Sequence, residues 1–147
     1  MINLFKNEAL CILCIQNFVS TYGSVDLEKV FLIPPLLFDK KARNYFKRKD
    51  TKIISVQDTV TSKSEIFVGF NEKYRDLLIT TTNAVLMGIE VGLFELDEGY
   101  LVCRDPVLDS ASSIGKTYSD IALASVNVAR FIEEPSATLY SLLRIKI

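Results

Sequence analysis

Residues 71 to 104 read NEKYRDLLITTTNAVLMGIEVGLFELDEGYLVCR. Tyr74, Leu77, Leu78, Thr81, Val85 and Ile89 recur at three- and four-residue steps, the period of an amphipathic helix. The stiff β-branched run Thr80 to Thr82 opposes helix weakly, and the periodicity outweighs it. Asn71 is the predicted N-cap, and Gly92 stands where a glycine ends a helix. Two short β-prone runs follow, Leu93 to Leu96 and Tyr100 to Arg104, around Asp97-Glu98-Gly99. That pattern predicts a hairpin. A helix leading directly into a small hairpin is the outline of a winged-helix module. The expected fold is therefore mainly α with a small β-hairpin, a single winged-helix-like domain.

The flanking sequence adds helices. Towards the N-terminus, Asn7 is a predicted cap for a helix from Glu8 to about Thr21, with Gly23 just past its end. Ala9 to Ile15 is apolar on all sides, so this helix is expected to be covered all round, by its own domain or by a partner. Asp26 caps a second helix from Leu27, whose apolar run Val30 to Phe38 is kinked or broken at Pro34-Pro35. Asp39 caps a third, from Lys40 to about Lys49. Residues 51 to 70 are ambiguous, with Thr51 to Val56 leaning towards strand by β-branching without alternation. Beyond the hairpin, Asp105-Pro106 stops the strand. A helix from Lys116 to about Glu133 carries Ile121, Ala124, Val128 and Phe131 or Ile132 along one stripe. Pro135 interrupts, and Ser136 to about Arg144 forms a last short helix. All 147 residues fit one domain, with the winged-helix-like part at about 26–105 and C-terminal helices at about 116–144.

Composition narrows the chemistry. Histidine is absent, which removes Ser-His and Cys-His pairs, histidine metal ligands and the side chain best matched to proton transfer near pH 7. The 17 Lys and Arg nearly balance 18 Asp and Glu, so bulk attraction to nucleic acid is not expected, although a local patch is compatible with this balance. An apolar fraction of 49% is high for so short a soluble chain and points to partners. No apolar run is long enough to cross a membrane. Ala9 to Ile15 after Lys6 is a faint echo of a signal peptide, but Glu8 borders it and no small-residue cleavage site follows. Three cysteines, two of them in that apolar run, fit a reducing cytoplasm better than a disulfide framework.

Four motifs carry possible chemistry. Cys11 and Cys14 have the spacing of a redox pair, but they lie inside an apolar helix and not at its start, so they are expected to be core residues. Zinc would need four ligands, and only Cys103 remains to help. Gly115-Lys116-Thr117 matches the end of a phosphate-binding loop, but Ser110 stands where that loop needs its first glycine. Neither a cofactor nor a metal is therefore expected. Glu95, Asp97 and Glu98 mark the hairpin tip. Glu133-Glu134 faces a helix C-terminus unfavourably and is either a partner contact or a solvated surface.

The basic run is the strongest charge feature. Lys40, Lys41, Arg43, Lys47, Arg48, Lys49 and Lys52 supply seven of the 17 cations, opposed nearby by Asp39 and Asp50. Lys40, Arg43 and Lys47 share a helix face, with Tyr45 and Phe46 interleaved. Three readings fit: a phosphate-backbone contact, a docking surface for an acidic partner, or a solvated helix face. The candidate partner- or DNA-contacting residues are Lys40, Lys41, Arg43, Lys47, Arg48 and Lys49.

Several stretches together resemble a known family. They are Asn7-Glu8-Ala9-Leu10-Cys11 with the helix end Phe18-Val19-Ser20-Thr21-Tyr22, the segment from Phe31 through Pro34-Pro35 and Asp39 to Arg43, the run from Gly88 to Leu96, and Ala129-Arg130-Phe131-Ile132 with Pro135 to Leu143. In this order they are similar to the middle component of three-component ABC systems, the group that includes Lamassu-type anti-phage defence. Asp39 stands where that family often has histidine. The resemblance implies a non-enzymatic adaptor. It would bind the head domains of an ABC ATPase of the Rad50 and SMC type and couple DNA sensing to an effector, often a nuclease. DNA would be met mainly through the complex, with no membrane involved. It supplies no catalytic residue. The alternative is a winged-helix DNA-binding regulator acting alone. Its recognition helix would run from Asn71 to Val91, where Lys73 and Arg75 are the only cations and Glu72, Asp76 and Glu90 oppose them.

Overall fold

The computed structural model describes residues 7–104 and 115–146. Helix α1 (Glu8–Tyr22) begins as its sequence dictates, the Asn7 side chain accepting the Leu10 N–H at 2.9 Å. Leu10, Cys11, Cys14, Ile15, Phe18 and Val19 are buried, whereas Ala9 is exposed and Leu13 half-buried on the opposite edge. The helix packs against α3 (Ile33–Phe38), α7 (Phe70–Glu90), α8 (Lys116–Phe131) and strand β3 (Tyr100–Cys103). Its own domain thus covers most of the apolar run but not the edge at Ala9 and Leu13, so the expected burial on all sides is met only in part.

Between α1 and α3 lie strand β1 (Val25–Asp26) and the short helix α2 (Leu27–Val30). The break expected at the two prolines comes just before them. Pro34 and Pro35 sit in the first turn of α3, where a missing N–H costs no intrahelical bond. All six residues of α3 are buried. Helix α4 (Lys40–Phe46) starts on Asp39, whose carboxylate accepts the Ala42 N–H at 3.0 Å. It ends three residues short of the expected Lys49, because tertiary partners take its last carbonyls. The Thr51 hydroxyl donates to Tyr45 O at 2.7 Å, and the Asn127 amide donates to Phe46 O at 2.8 Å.

The strand leaning of residues 51 to 56 is not realised. An extended stretch leads into α5 (Val56–Ser62), capped by the Ser55 hydroxyl, and α6 (Ser64–Phe67) follows. Helix α7 also begins differently from expectation. Gly69, at φ +72°, is its N-cap, and Asn71 lies within the first turn. Starting two residues earlier places Phe70 in the core beside Phe67, while the Asn71 side chain accepts the Lys146 N–H at 2.8 Å. At the other end the expectation holds. Gly92 has φ +85°, its N–H reaches Ile89 O at 3.1 Å, and Leu93 N–H reaches Gly88 O at 2.8 Å. This paired closure needs a left-handed residue at position 92.

Strand β2 (Phe94–Asp97) and β3 then form the hairpin, with Phe94 opposite Cys103 and Asp97 opposite Tyr100. Glu98 and Gly99 both have positive φ, the two-residue loop that suits strand twist. Strand β1 adds to the far edge of β3, giving the antiparallel order β1-β3-β2. Helix α8 buries Ile121, Ala124, Val128 and Phe131, as its stripe requires, and α9 (Ser136–Leu142) anchors through Leu139. The Phe131 ring stacks on Phe67 at 5.7 Å between centroids. The result is one mainly helical domain with a small three-stranded sheet against α1 and α7.

Candidate functional site

The basic run divides between structure and surface. Arg43 turns inward, its guanidinium donating to Leu37 O at 3.2 Å and Phe38 O at 3.0 Å. It thereby closes the C-terminal end of α3, whose carbonyls lack intrahelical partners. Lys47 reaches across to α8, its Nζ lying 3.4 Å from Asp120 Oδ2. Lys116 approaches the same carboxylate at 3.5 Å. Burial nudges the Asp120 carboxyl up, but Lys47 and Lys116 outweigh it and hold the group below the usual carboxylate range. Lys40, Lys41, Arg48 and Lys49 are exposed. The face shared by Lys40, Arg43 and Lys47 is therefore engaged within the fold at two of its three positions.

A different set of cations comes together. Lys41, on α4, and Arg48, just past its end, line a shallow cleft of about 270 Å³ with Asn44, Tyr45, Lys63 and Glu65. Lys63 caps the end of α5 and comes from the stretch that the sequence leaves ambiguous. An isolated lysine without a periodic neighbour gave no signal, because only the packing of α4 on α6 brings it near Lys41.

The other motifs are structural where the structure describes them. Cys11 and Cys14 are buried in α1. Burial pushes the Cys11 thiol up to about 12, with nearby Thr81 pulling the other way, and burial likewise raises Cys14. Among the described residues no group of three or more His, Cys, Asp or Glu side chains is placed to hold a metal. Gly115 precedes α8 at φ +91°, and Lys116 is turned to Asp120; residues 110 to 114 of that motif lie outside the described residues. On the hairpin, Glu95 lies 3.7 Å from Arg104. Glu134 accepts the Val56 N–H at the start of α5. A carboxylate badly placed for its own helix is well placed for the next one.

A second surface lies on α7, the helix that leads into the hairpin. Its solvent face carries Ile79, 73% exposed, Leu86, 54% exposed, and Met87, 45% exposed, and Val91 continues it at 70%. Arg75 is the one exposed cation on α7. Exposed Thr82 and Asn83 lie between Ile79 and the group at Leu86, Met87 and Val91, and this mixed face suits protein contact better than phosphate contact.

A mainly helical domain with a three-stranded sheet, which exposes a basic cleft and several apolar side chains on α7, has the character of a small interaction module. The chain belongs to the family described as ABC-three component (ABC-3C) system Middle Component 3, whose model matches residues 1–147. It is thus a middle component of an ABC three-component system, in agreement with the resemblance read from its segments. No curated protein and no solved structure matches it.

Proposed function

We propose that this chain is a non-enzymatic adaptor of an anti-phage defence complex of the Lamassu type, working in the cytoplasm. It binds the head domains of a Rad50- or SMC-like ABC ATPase and holds an effector, a nuclease, until DNA is sensed. The observation that carries this reading is the family match over the whole chain. A middle component is one part of an assembly, and the exposed apolar side chains of α7 suit such a role. The lack of histidine and the burial of Cys11 and Cys14 argue against a catalytic centre built on imidazole or thiolate.

The winged-helix reading is supported by the succession of α1, β1, a helical stretch ending in α7, and the β2–β3 hairpin, and by the sheet order β1-β3-β2. A winged-helix regulator acting alone is less well supported. The helix that would enter a DNA groove presents Ile79 and Leu86 to solvent where a DNA reader carries cations and amides. Of the six basic residues on and beside α4, Lys40, Lys41, Arg48 and Lys49 are the contacts in this proposal, and Arg43 and Lys47 hold the helix that presents them.

Co-expression with the ATPase of the same system tests the reading. The two are expected to co-elute from a size-exclusion column at micromolar concentration. Separate elution would overturn the adaptor role.

A further inference from the structure

We propose that the cleft between α4 and the α5–α6 junction binds the phosphodiester backbone of duplex DNA, with Lys41, Arg48 and Lys63 as its cations and Asn44 as a neutral donor. This deepens the adaptor reading by naming a ligand for one of its surfaces. Lys41 stands in the first turn of α4 and Arg48 just beyond its C-terminal end, and both line the cleft. Lys63 enters from a separate element and faces the same cleft. None of the three is in an ion pair among the described residues, in contrast to Lys47, Lys73 and Lys116. Their charge is therefore available to an outside anion.

The donor set of the lining favours a phosphate backbone over an acidic peptide. Peptide docking needs a pocket for an apolar anchor. Here Ile66 is only 7% exposed, and the Tyr45 ring packs edge-on against Phe46, so neither offers one. More of the cleft's exposed surface is apolar than polar, but its polar groups are charged and amide donors, the groups that position nucleic-acid backbones without reading sequence. Glu65 is its one acid. It tempers affinity, which suits a contact that acts together with other components and not alone.

Fluorescence anisotropy with the full chain and a labelled duplex, titrated over a range of salt, tests the proposal without the ATPase. Binding is expected to be weak and indifferent to sequence, and to lose affinity with salt at a log–log slope near −3, about 0.9 per phosphate contacted. Lys41→Glu, Arg48→Glu and Lys63→Glu should each weaken binding several-fold and flatten the slope by about one. Glu65→Gln should tighten it. Arg130→Glu, the same charge change on α8, should have a smaller effect than any of the three and leave the slope unaltered. Thermal melts confirm that each variant is folded. Equal losses for Arg130→Glu and the cleft variants would overturn the site, as would binding of polyglutamate but not of duplex DNA. Absence of DNA binding at low salt would do so too, leaving co-elution with the ATPase a separate question.

Discussion

Phe94, the first residue of β2, lies directly on Gly88 of α7. A Cβ at position 88 would fall inside the van der Waals envelope of the Phe94 ring carbons Cδ2 and Cε2. The hairpin can fold back against the helix that precedes it only because residue 88 has no side chain. Phe94 is 1% exposed, so this contact belongs to the core.

Gly88→Ala should therefore destabilise the domain although alanine favours helix. Overpacking of this kind costs about 1–3 kcal/mol, and Phe94→Ala should cost about 3–5 kcal/mol. Because the two sites touch, the double variant should lose less than the sum. Urea denaturation of the four proteins checks this. Strict additivity would show that the ring does not rest on the glycine.

Asp39 holds two elements together. Its Oδ2 caps α4, and its Oδ1 lies 2.7 Å from Lys73 Nζ on α7. Asp39→Ala should lose the cap, worth about 1 kcal/mol, together with the ion pair. Asp39→Asn should keep most of the cap. The difference between the two variants in urea should persist in a Lys73→Met background, because the cap does not depend on Lys73.

Charge reversal should separate Arg43 from its neighbours. Arg43→Glu leaves α3 carbonyls without their donor and places a carboxylate against them, so the melting temperature should fall by several degrees. Lys40→Glu and Lys41→Glu, at exposed positions, should leave it within about a degree. A triple reversal of Lys40, Lys41 and Arg43 is thus expected to lose fold stability as well as contacts. Differential scanning fluorimetry of the single variants reports it directly.

The buried thiols make stability depend on pH in one direction. Burial raises the Cys11 and Cys14 pKa values in the folded state, whereas the unfolded thiols titrate near about 8.5. A raised folded value stabilises fully below the unfolded value and is lost as pH rises towards the folded one. The urea midpoint should therefore fall between pH 8 and pH 10, and less so in Cys11→Ala. In the native protein at pH 8, a thiol reagent should modify Cys103, which is half-buried, before either of the others. Fast modification of Cys11 would contradict its place in the core.

The sequence alone determined whatever neighbours along the chain could decide. The Asn7 and Asp39 caps, the apolar periodicity of α7 and α8, the glycine that ends α7 and the Glu98-Gly99 turn each depend on contacts a few residues apart, and each is legible in order. So is the family, carried by short segments that survive in register.

Tertiary structure decided everything that depended on a distant partner. Strand β1 is two residues long and exists only because β3 offers an edge, so no period could announce it. Asn71 gives up its capping place to Gly69 because burying Phe70 gains more than a side-chain cap. Glu134 finds the start of α5, 78 residues away in the chain. Arg43 and Lys47 look free on a helical wheel, yet α3 and α8 supply their acceptors. Lys63, unremarkable in sequence, enters the basic cleft only when α6 packs on α4. Charge is fixed by composition, but whether a charge is spent inside the fold or offered to a partner depends on what the chain folds against it.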